Sequence, residues 1–204
     1  MTPGAAALLS LTLVAGGGRA LHVEAGSVVP DADGSQARPF RTVGQALGVA
    51  RDGDRVVLAT GLYTERVSID RAVTLQGPRS AVLVSPDATG TVVDVRAPVR
   101  LVGLSVQGGE IGVRAQRSVE LEGVWFSAQR RAAVQVEGTR AVVRGGTWSA
   151  LFDRPELSGL EGVDAELLVE RTRFEGQFAR AVLARGGSAR LEDVTIEGAV
   201  NGLR

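Results

Sequence analysis

The chain has 204 residues, of which 44% are hydrophobic and 23% charged, so it can bury one hydrophobic core. Its 23 acidic residues balance 23 basic residues, which are all Arg, and only 4% of its residues are aromatic. This composition disfavours an electrostatic or base-stacking binder of nucleic acid. A single His and no Cys exclude most transition-metal and thiol chemistry, and no cofactor is predicted.

The N-terminus contains an apolar run over residues 5–15, which has the length of the central region of a signal peptide. Small residues around Gly18 and Ala20 offer a cleavage site. We therefore expect residues 1–20 to be a signal peptide and the protein to be secreted, periplasmic or at the cell surface. The alternative is a buried first strand that continues into residues 21–23. No later stretch is long and apolar enough to span a membrane.

A short amphipathic helix is predicted over residues 40–51. Thr42 can cap its start and Gly53 its end. Its apolar positions recur at helical spacing, at Val43, Ala46, Leu47 and Ala50. The segments that follow are short, rich in Val and bounded by Gly, Pro and Asp, which predicts strands over residues 55–58, 66–69, 72–76, 81–84 and 91–95.

An internal repeat follows Pro98. Its units align on one apolar position, with separations of 20, 22, 26 and 22 residues, at Leu101, Leu121, Val143, Val169 and Leu191. Five positions later a second apolar column contains Val106, Phe126, Trp148, Phe174 and Ile196. Counted from the aligned position of each unit, the residues at −2, 0, +3 and +5 are expected to face inward. Inward and outward residues alternate within one strand, so the odd step from 0 to +3 means that the chain turns a corner there. Glycine occupies that corner at Gly103, Gly123 and Gly145.

A unit of about 22 residues cannot bury its own apolar face and must stack on its neighbours. We therefore predict an all-β fold, a parallel β-helix (solenoid) of about six or seven coils, with equivalent strands ~4.8 Å apart. A leucine-rich repeat is the nearest alternative, but its asparagine-containing signature is absent. A β-sandwich would not need the same corner in five successive units. The sequence ends within a repeat, so we expect it to be the N-terminal part of a larger protein.

The N-terminal motifs resemble the opening of the pectin-lyase-like parallel β-helix proteins. They are PFRTV (39–43), AL (46–47), GDRVVL (53–58), GLYTE (61–65) and VTLQG (73–77). The resemblance covers residues 21–204 and implies a right-handed coil whose N-terminal end is capped by the short α-helix. The later repeats are similar to the carbohydrate-binding and sugar-hydrolase repeats of the same superfamily, which implies a polysaccharide or glycan as partner.

The resemblance does not extend to the active sites of these families. The paired Asp, Arg and Gln of pectin methylesterases have no matching motif, and His22 precedes the capping helix whereas polygalacturonases need a His beside clustered Asp residues. For a calcium-dependent lyase, Asp87 and Asp94 with a nearby Arg are the closest approach. No catalytic residue and no metal ligand is therefore predicted.

Candidate substrate-binding residues come from three places. Trp125 is expected to face outward, where an indole can stack on a sugar, with Arg173 in the same outward column. The longest repeat contains an insertion over residues 150–159, and Arg130 and Arg131 precede it. The predicted binding residues are Trp125, Arg130, Arg131, Phe152, Asp153, Arg154, Glu156 and Arg173. A separate outward column, Glu122, Arg144 and Glu170, is interpreted as a solvated ladder of ion pairs.

These observations favour an exported, non-catalytic scaffold or glycan-binding module. The alternatives are a polysaccharide lyase or glycoside hydrolase that acts on acidic polysaccharide, and a cell-surface adhesion segment. The last coil presents an unpaired strand edge, so we also expect self-association or continuation of the coil at that edge.

Overall fold

The computed structural model describes residues 18–151, 156–198 and 201–203, the last three by their backbone alone. Within these ranges the chain forms twenty strands, numbered β1 to β20 in chain order, and one helix, α1. The strands build a parallel β-helix of about six turns, which confirms the predicted solenoid. The predicted signal peptide falls mainly on residues 1–17, which lie outside the described residues.

Each turn of the coil places one strand on each of three faces. The first face contains β1 (Ala20–Val23), β2 (Arg55–Leu58), β5 (Val73–Gln76), β8 (Val99–Val102), β11 (Val119–Glu122) and β14 (Arg140–Arg144). The second face contains β3 (Gly61–Thr64), β6 (Ala81–Val84), β9 (Ser105–Gln107), β12 (Trp125–Ser127), β15 (Thr147–Ala150), β17 (Arg173–Gly176) and β19 (Thr195–Glu197). The third face contains β4 (Val67–Ile69), β7 (Thr91–Val95), β10 (Ile111–Ala115), β13 (Ala132–Glu137) and β20 (Asn201–Leu203). Two long strands begin on the third face and end on the first, β16 (Ser158–Glu170) and β18 (Arg180–Glu192).

The core is a set of columns in which equivalent side chains of successive turns lie over one another. Phe126 is paired in register with Trp148, and Trp148 with Phe174. Their ring centroids lie 4.7 and 5.1 Å apart in edge-to-face contacts, and all three side chains are buried. Val106 and Ile196 continue this column at its two ends. The predicted alignment of the repeat is thereby confirmed, as it is for the column that contains Leu101 and Leu191.

The corner between the first and second faces requires a left-handed backbone. All five residues at this position have a positive φ, with values of 74°, 59°, 69°, 49° and 52° for Gly103, Gly123, Gly145, Arg171 and Asp193. Glycine adopts this conformation at no steric cost, which explains three of the five residues. The corner geometry therefore persists in the last two turns, where the residue is not glycine.

The capping helix α1 spans Val43–Val49 and is shorter than the predicted 40–51. Thr42 caps its start as predicted, in a capping box with Gln45. The prediction that Gly53 caps its end is wrong, because Ala50 is the C-cap. The Ala50 N–H bonds back three residues in a tight turn and its backbone is extended, so the helix ends before Gly53 is reached.

The helix covers the N-terminal end of the coil with its apolar side. Its buried residues pack toward β1, β2 and β4. The Glu65 carboxylate, which follows β3, accepts hydrogen bonds from the backbone N–H groups of Val43 and Gly44 at 2.8 and 2.9 Å. These bonds satisfy two of the donors that the first turn of a helix leaves unpaired. The glutamate of the GLYTE motif thus connects the cap to the coil.

Residues just before the predicted domain boundary belong to the fold. The strand β1 starts at Ala20 and pairs with β2, whereas the apolar run over residues 5–15 lies outside the described residues. The Arg19 backbone N–H donates to the buried Asp54 carboxylate at 2.9 Å, and so does the Arg51 N–H. Burial raises the pKa of Asp54, but these hydrogen bonds and the Arg19 guanidinium outweigh it and hold the pKa below its usual value.

Candidate functional site

A row of polar side chains runs along the outside of the third face. Asp94, Arg114, Gln135 and Glu161 occupy equivalent positions in β7, β10, β13 and β16. Each lies between two inward-facing neighbours, such as Val134 and Val136 beside Gln135, so its side chain points away from the core. We call these four residues the polar row.

Two members of the polar row are much more buried than outward-facing residues normally are. Gln135 is 5% exposed and Glu161 is 6% exposed. Within the described part of the chain, the Gln135 Oε1 and the Arg114 Nε are buried without a hydrogen-bond partner. Because buried polar groups are nearly always paired, these atoms can form a hydrogen bond with a ligand or with water.

A cavity of about 490 Å³ opens beside Glu161, at the corner between the second and third faces. We call it the corner cavity. Its lining is mainly polar and consists of Arg131, Glu156, Ser158, Glu161, Arg180, Leu183 and Arg185. Three guanidinium groups face two carboxylates in this lining, so the cavity favours an anionic ligand.

The Glu161 carboxylate lies between arginines of the preceding and following turns. Its Oε2 is 3.8 Å from an Arg131 guanidinium nitrogen, and its Oε1 is 3.7 Å from one of Arg185. Arg131 also approaches the carboxylate of Glu110, at 4.0 Å. These distances exceed those of hydrogen bonds, so the Glu161 oxygens keep lone pairs for a further contact.

The structure brings together some of the predicted site residues. Arg131 and Glu156 both line the corner cavity. Arg130 lies instead at a separate cavity of about 440 Å³, formed with Ser85, Asp87 and their neighbours. Phe152, Asp153 and Arg154 lie outside the described residues, and the predicted insertion is shorter than expected because β16 begins at Ser158.

Trp125 and Arg173 lie on the second face, away from the corner cavity. Trp125 is half-buried, and the Arg79 guanidinium carbon lies over its ring at 3.7 Å from the centroid. Arg173 forms ion pairs with Glu175 and Glu197 at 2.5 and 2.9 Å.

The predicted charge ladder on the first face forms in part. Arg144 pairs with Glu170 at 2.9 Å, as expected. Glu122 pairs with Arg100 of the preceding turn. The Arg100–Glu122 pair is exposed and contributes little to stability, whereas the Arg144–Glu170 pair is partly buried.

Sequence reasoning missed most of the site. Gln135, Glu161, Arg180 and Arg185 were not predicted, although one signal was available. In each turn an outward residue stands between two inward ones, in the segments VDV, VRA, VQV, LEG and VLA (93–95, 113–115, 134–136, 160–162 and 182–184). Aligning these third-face segments would have placed the polar row.

The described residues include no group of three or more His, Asp and Glu side chains that could hold a metal ion. In the same part of the chain, no helix has the length and apolar character needed to cross a membrane.

Comparison with known proteins identifies the fold. No protein-family model matches the sequence, and no curated protein sequence matches it significantly. Among solved structures, pectin methylesterase PemA from Erwinia chrysanthemi is 14% identical over 75% of this chain and 59% of its own, with a TM-score of 0.49. A pectin methylesterase in complex with hexasaccharide VII is 14% identical over 76% of this chain and 65% of its own, with a TM-score of 0.50.

A third structure, a mutant pectin methylesterase in complex with hexasaccharide IV, is 14% identical over 80% of this chain and 66% of its own, with a TM-score of 0.48. This chain therefore spans less than two thirds of the length of each of the three structures. At 14% identity, the likeness to the structure with a TM-score of 0.50 shows the fold alone, the pectin-lyase-like right-handed parallel β-helix.

Proposed function

We propose that this protein acts on an acidic polysaccharide, which binds along the third face and reacts beside Glu161. The observation that carries the proposal is the position of this carboxylate, which is 6% exposed and borders a cavity of about 490 Å³ between two guanidinium groups. The likeness in fold to a pectin methylesterase that holds a hexasaccharide supports the same class of ligand.

The corner cavity contains groups for both binding and reaction. Arg131, Arg180 and Arg185 can pair with the carboxylates of uronic-acid units. In this position the Glu161 carboxylate can remove a proton from water, or it can attack an ester carbonyl or an anomeric carbon directly. The same guanidinium groups can stabilise negative charge that develops on oxygen in an ester hydrolysis. We therefore favour hydrolysis of an ester or glycosidic bond.

A non-catalytic glycan-binding module is the second candidate. The observation that favours it is that both Glu161 oxygens already face arginines, at 3.7 and 3.8 Å, which suits a structural ion-pair cluster. The fold likeness supports the carbohydrate-acting enzyme better than the non-catalytic module. In either case we propose that the protein is exported, on the apolar run over residues 5–15.

Turnover separates the two candidates. The full chain is incubated with methyl-esterified and de-esterified polygalacturonate, and three products are measured: methanol, new reducing ends and new unsaturated ends. We expect release of methanol or reducing ends, and a loss of roughly 100-fold or more in Glu161→Gln if this carboxylate is the acid–base group.

Glu166→Gln is the matched control, because Glu166 lies in the same strand but on the first face, with a side chain that is 62% exposed. It is expected to retain full turnover. Binding of de-esterified polymer without turnover would favour the non-catalytic module. Absence of both turnover and binding would contradict the proposed function.

A further inference from the structure

We propose a second ligand site on the second face, where Arg79 stacked on Trp125 binds the carboxylate of an acidic sugar. Arg79 is exposed and precedes β6, whereas Trp125 begins β12 two turns further along the coil. The guanidinium carbon lies over the indole, 3.7 Å from its centroid. This is the geometry of a cation–π contact, and because Arg79 is exposed its N–H donors can reach a ligand in solvent.

The backbone that carries Arg79 is fixed by hydrogen bonds on both sides. The Arg79 carbonyl accepts a bond of 2.7 Å from the Ser105 hydroxyl. The Ser80 carbonyl accepts one of 3.0 Å from the Gly61 N–H, and the Ser80 and Thr60 hydroxyls are 2.9 Å apart. With the backbone held at one end and the guanidinium stacked at the other, Arg79 loses little conformational freedom when it binds a ligand.

No described carboxylate neutralises the positive charge of Arg79. In the part of the chain that the structure describes, Arg79 forms no ion pair, whereas Arg173 on the same face pairs with Glu175 and Glu197. The accessible side chains nearest Trp125 along β9, β12 and β15 are uncharged, namely Gln107, Ser127, Thr147 and Ser149, whereas Ser105 is buried against the Arg79 carbonyl. The Arg79 guanidinium is therefore surrounded by hydroxyl and amide groups. This combination suits a ligand that carries both a carboxylate and hydroxyl groups.

These features select an acidic sugar, and they change the role of Trp125. One face of the indole is covered by Arg79, so a sugar cannot stack there as the sequence suggested. Trp125 instead orients Arg79, which binds the carboxylate through paired N–H donors. Because this site is on a different face from Glu161, it does not depend on turnover at the corner cavity.

Intrinsic fluorescence provides the test, because the chain has two tryptophans and the other, Trp148, is fully buried. The full chain is titrated with a de-esterified galacturonate oligosaccharide and with a neutral gluco-oligosaccharide of equal length. We expect the acidic sugar alone to change the emission. Arg79→Gln should weaken that response about tenfold, as loss of a charge-assisted hydrogen bond does.

Two control variants make the result decisive. Arg117→Gln removes the same charge from another exposed arginine, whose described side-chain bond is to a neighbouring carbonyl at 2.9 Å, and it should leave the response unchanged. Glu161→Gln should also leave it unchanged, even where it abolishes turnover. An equal loss in Arg79→Gln and Arg117→Gln would overturn the proposal in favour of general charge attraction. If the response disappears in Glu161→Gln but survives in Arg79→Gln, the sugar binds on the third face alone and the proposal is overturned. The same holds if the acidic sugar is turned over but does not change the emission.

Discussion

The corner between the first and second faces imposes the same backbone conformation on chemically different residues. Arg171 and Asp193 have φ values of 49° and 52°, close to the 59° of Gly123. A side chain in this region costs of order 1 kcal/mol, which stacking of the strands on either side must offset. Single residues in this fold are therefore constrained by the coil more than by their own conformational preference.

Gly123→Ala isolates this backbone cost. A Cβ at Gly123 would meet no atom within 4 Å, so the change adds no steric contact. We expect it to lower the free energy of unfolding by about 1 kcal/mol in urea denaturation. Gly48→Ala is the control, since Gly48 is also open to solvent but lies inside α1, where Ala is favoured by about 0.5–1 kcal/mol. Equal effects of the two substitutions would contradict the argument.

At the scale of elements, the sequence predicted strands on all three faces, including residues 66–69 and 91–95 on the third, but its repeat was aligned on the first and second faces alone. In every unit the aligned apolar residues of the first and second faces, such as Leu121 and Phe126, are five residues apart. Alignment therefore recovers the register of both faces. On the third face the outward residue differs in every turn: Asp94, Arg114, Gln135, Glu161 and Leu183. The loops before these strands also vary in length, which hides the repeat.

The candidate site depends on this less predictable face. Glu156 was predicted because it lies in the insertion of the longest repeat, and Arg131 because it precedes that insertion. Glu161 lies within a strand, and in the sequence it has the pattern of any outward-facing strand residue. In the folded chain it is buried, and its carboxylate lies between Arg131 and Arg185 of the adjacent turns. Such contacts between turns are separated by more than 20 residues in the chain, and no local pattern encodes them.

Asp54 shows how an element boundary makes stability depend on pH. It lies between α1 and β2 and is 4% exposed, with hydrogen bonds from the backbone of Arg19 and Arg51. Its pKa in the folded chain is below the usual value, so its contribution to stability is present above the unfolded pKa of ~3.9 and is lost as pH falls through the folded pKa.

Asp54→Asn should therefore lower the free energy of unfolding at neutral pH by about 1–3 kcal/mol and should flatten its decline in acid. Urea denaturation at a series of pH values measures both effects. Asp70→Asn is the comparison, because the Asp70 side chain is 67% exposed and lies 3.8 Å from Arg71. If the free energy of unfolding declines in acid as steeply in Asp54→Asn as in the wild type, this carboxylate does not cause the decline.

At the scale of the whole molecule, the coil separates stability from surface chemistry. Each turn contributes inward residues to continuous columns and outward residues to three independent faces. The first face bears ion pairs such as Arg144–Glu170, the second bears Arg79 and Trp125, and the third bears the polar row. Surface residues can therefore differ from turn to turn while the columns keep one register, which is why fold and activity are encoded separately in such repeats.

The two tryptophans test this separation directly. Trp148 is fully buried between Phe126 and Phe174, so Trp148→Ala should lower the free energy of unfolding by about 3–5 kcal/mol. Trp125 lies one turn earlier on the outside, and Trp125→Ala should cost about 1 kcal/mol, the size of its contact with Arg79.

Urea denaturation followed by circular dichroism measures both variants. The larger loss must come from Trp148, because removing it opens a cavity in a column that supports the turns on both sides. Trp125 is half-buried, so the space that it leaves is partly open to water. Equal losses would mean that the two side chains share one environment. In that case the assignment of inward and outward positions, on which both proposed ligand sites depend, would be wrong.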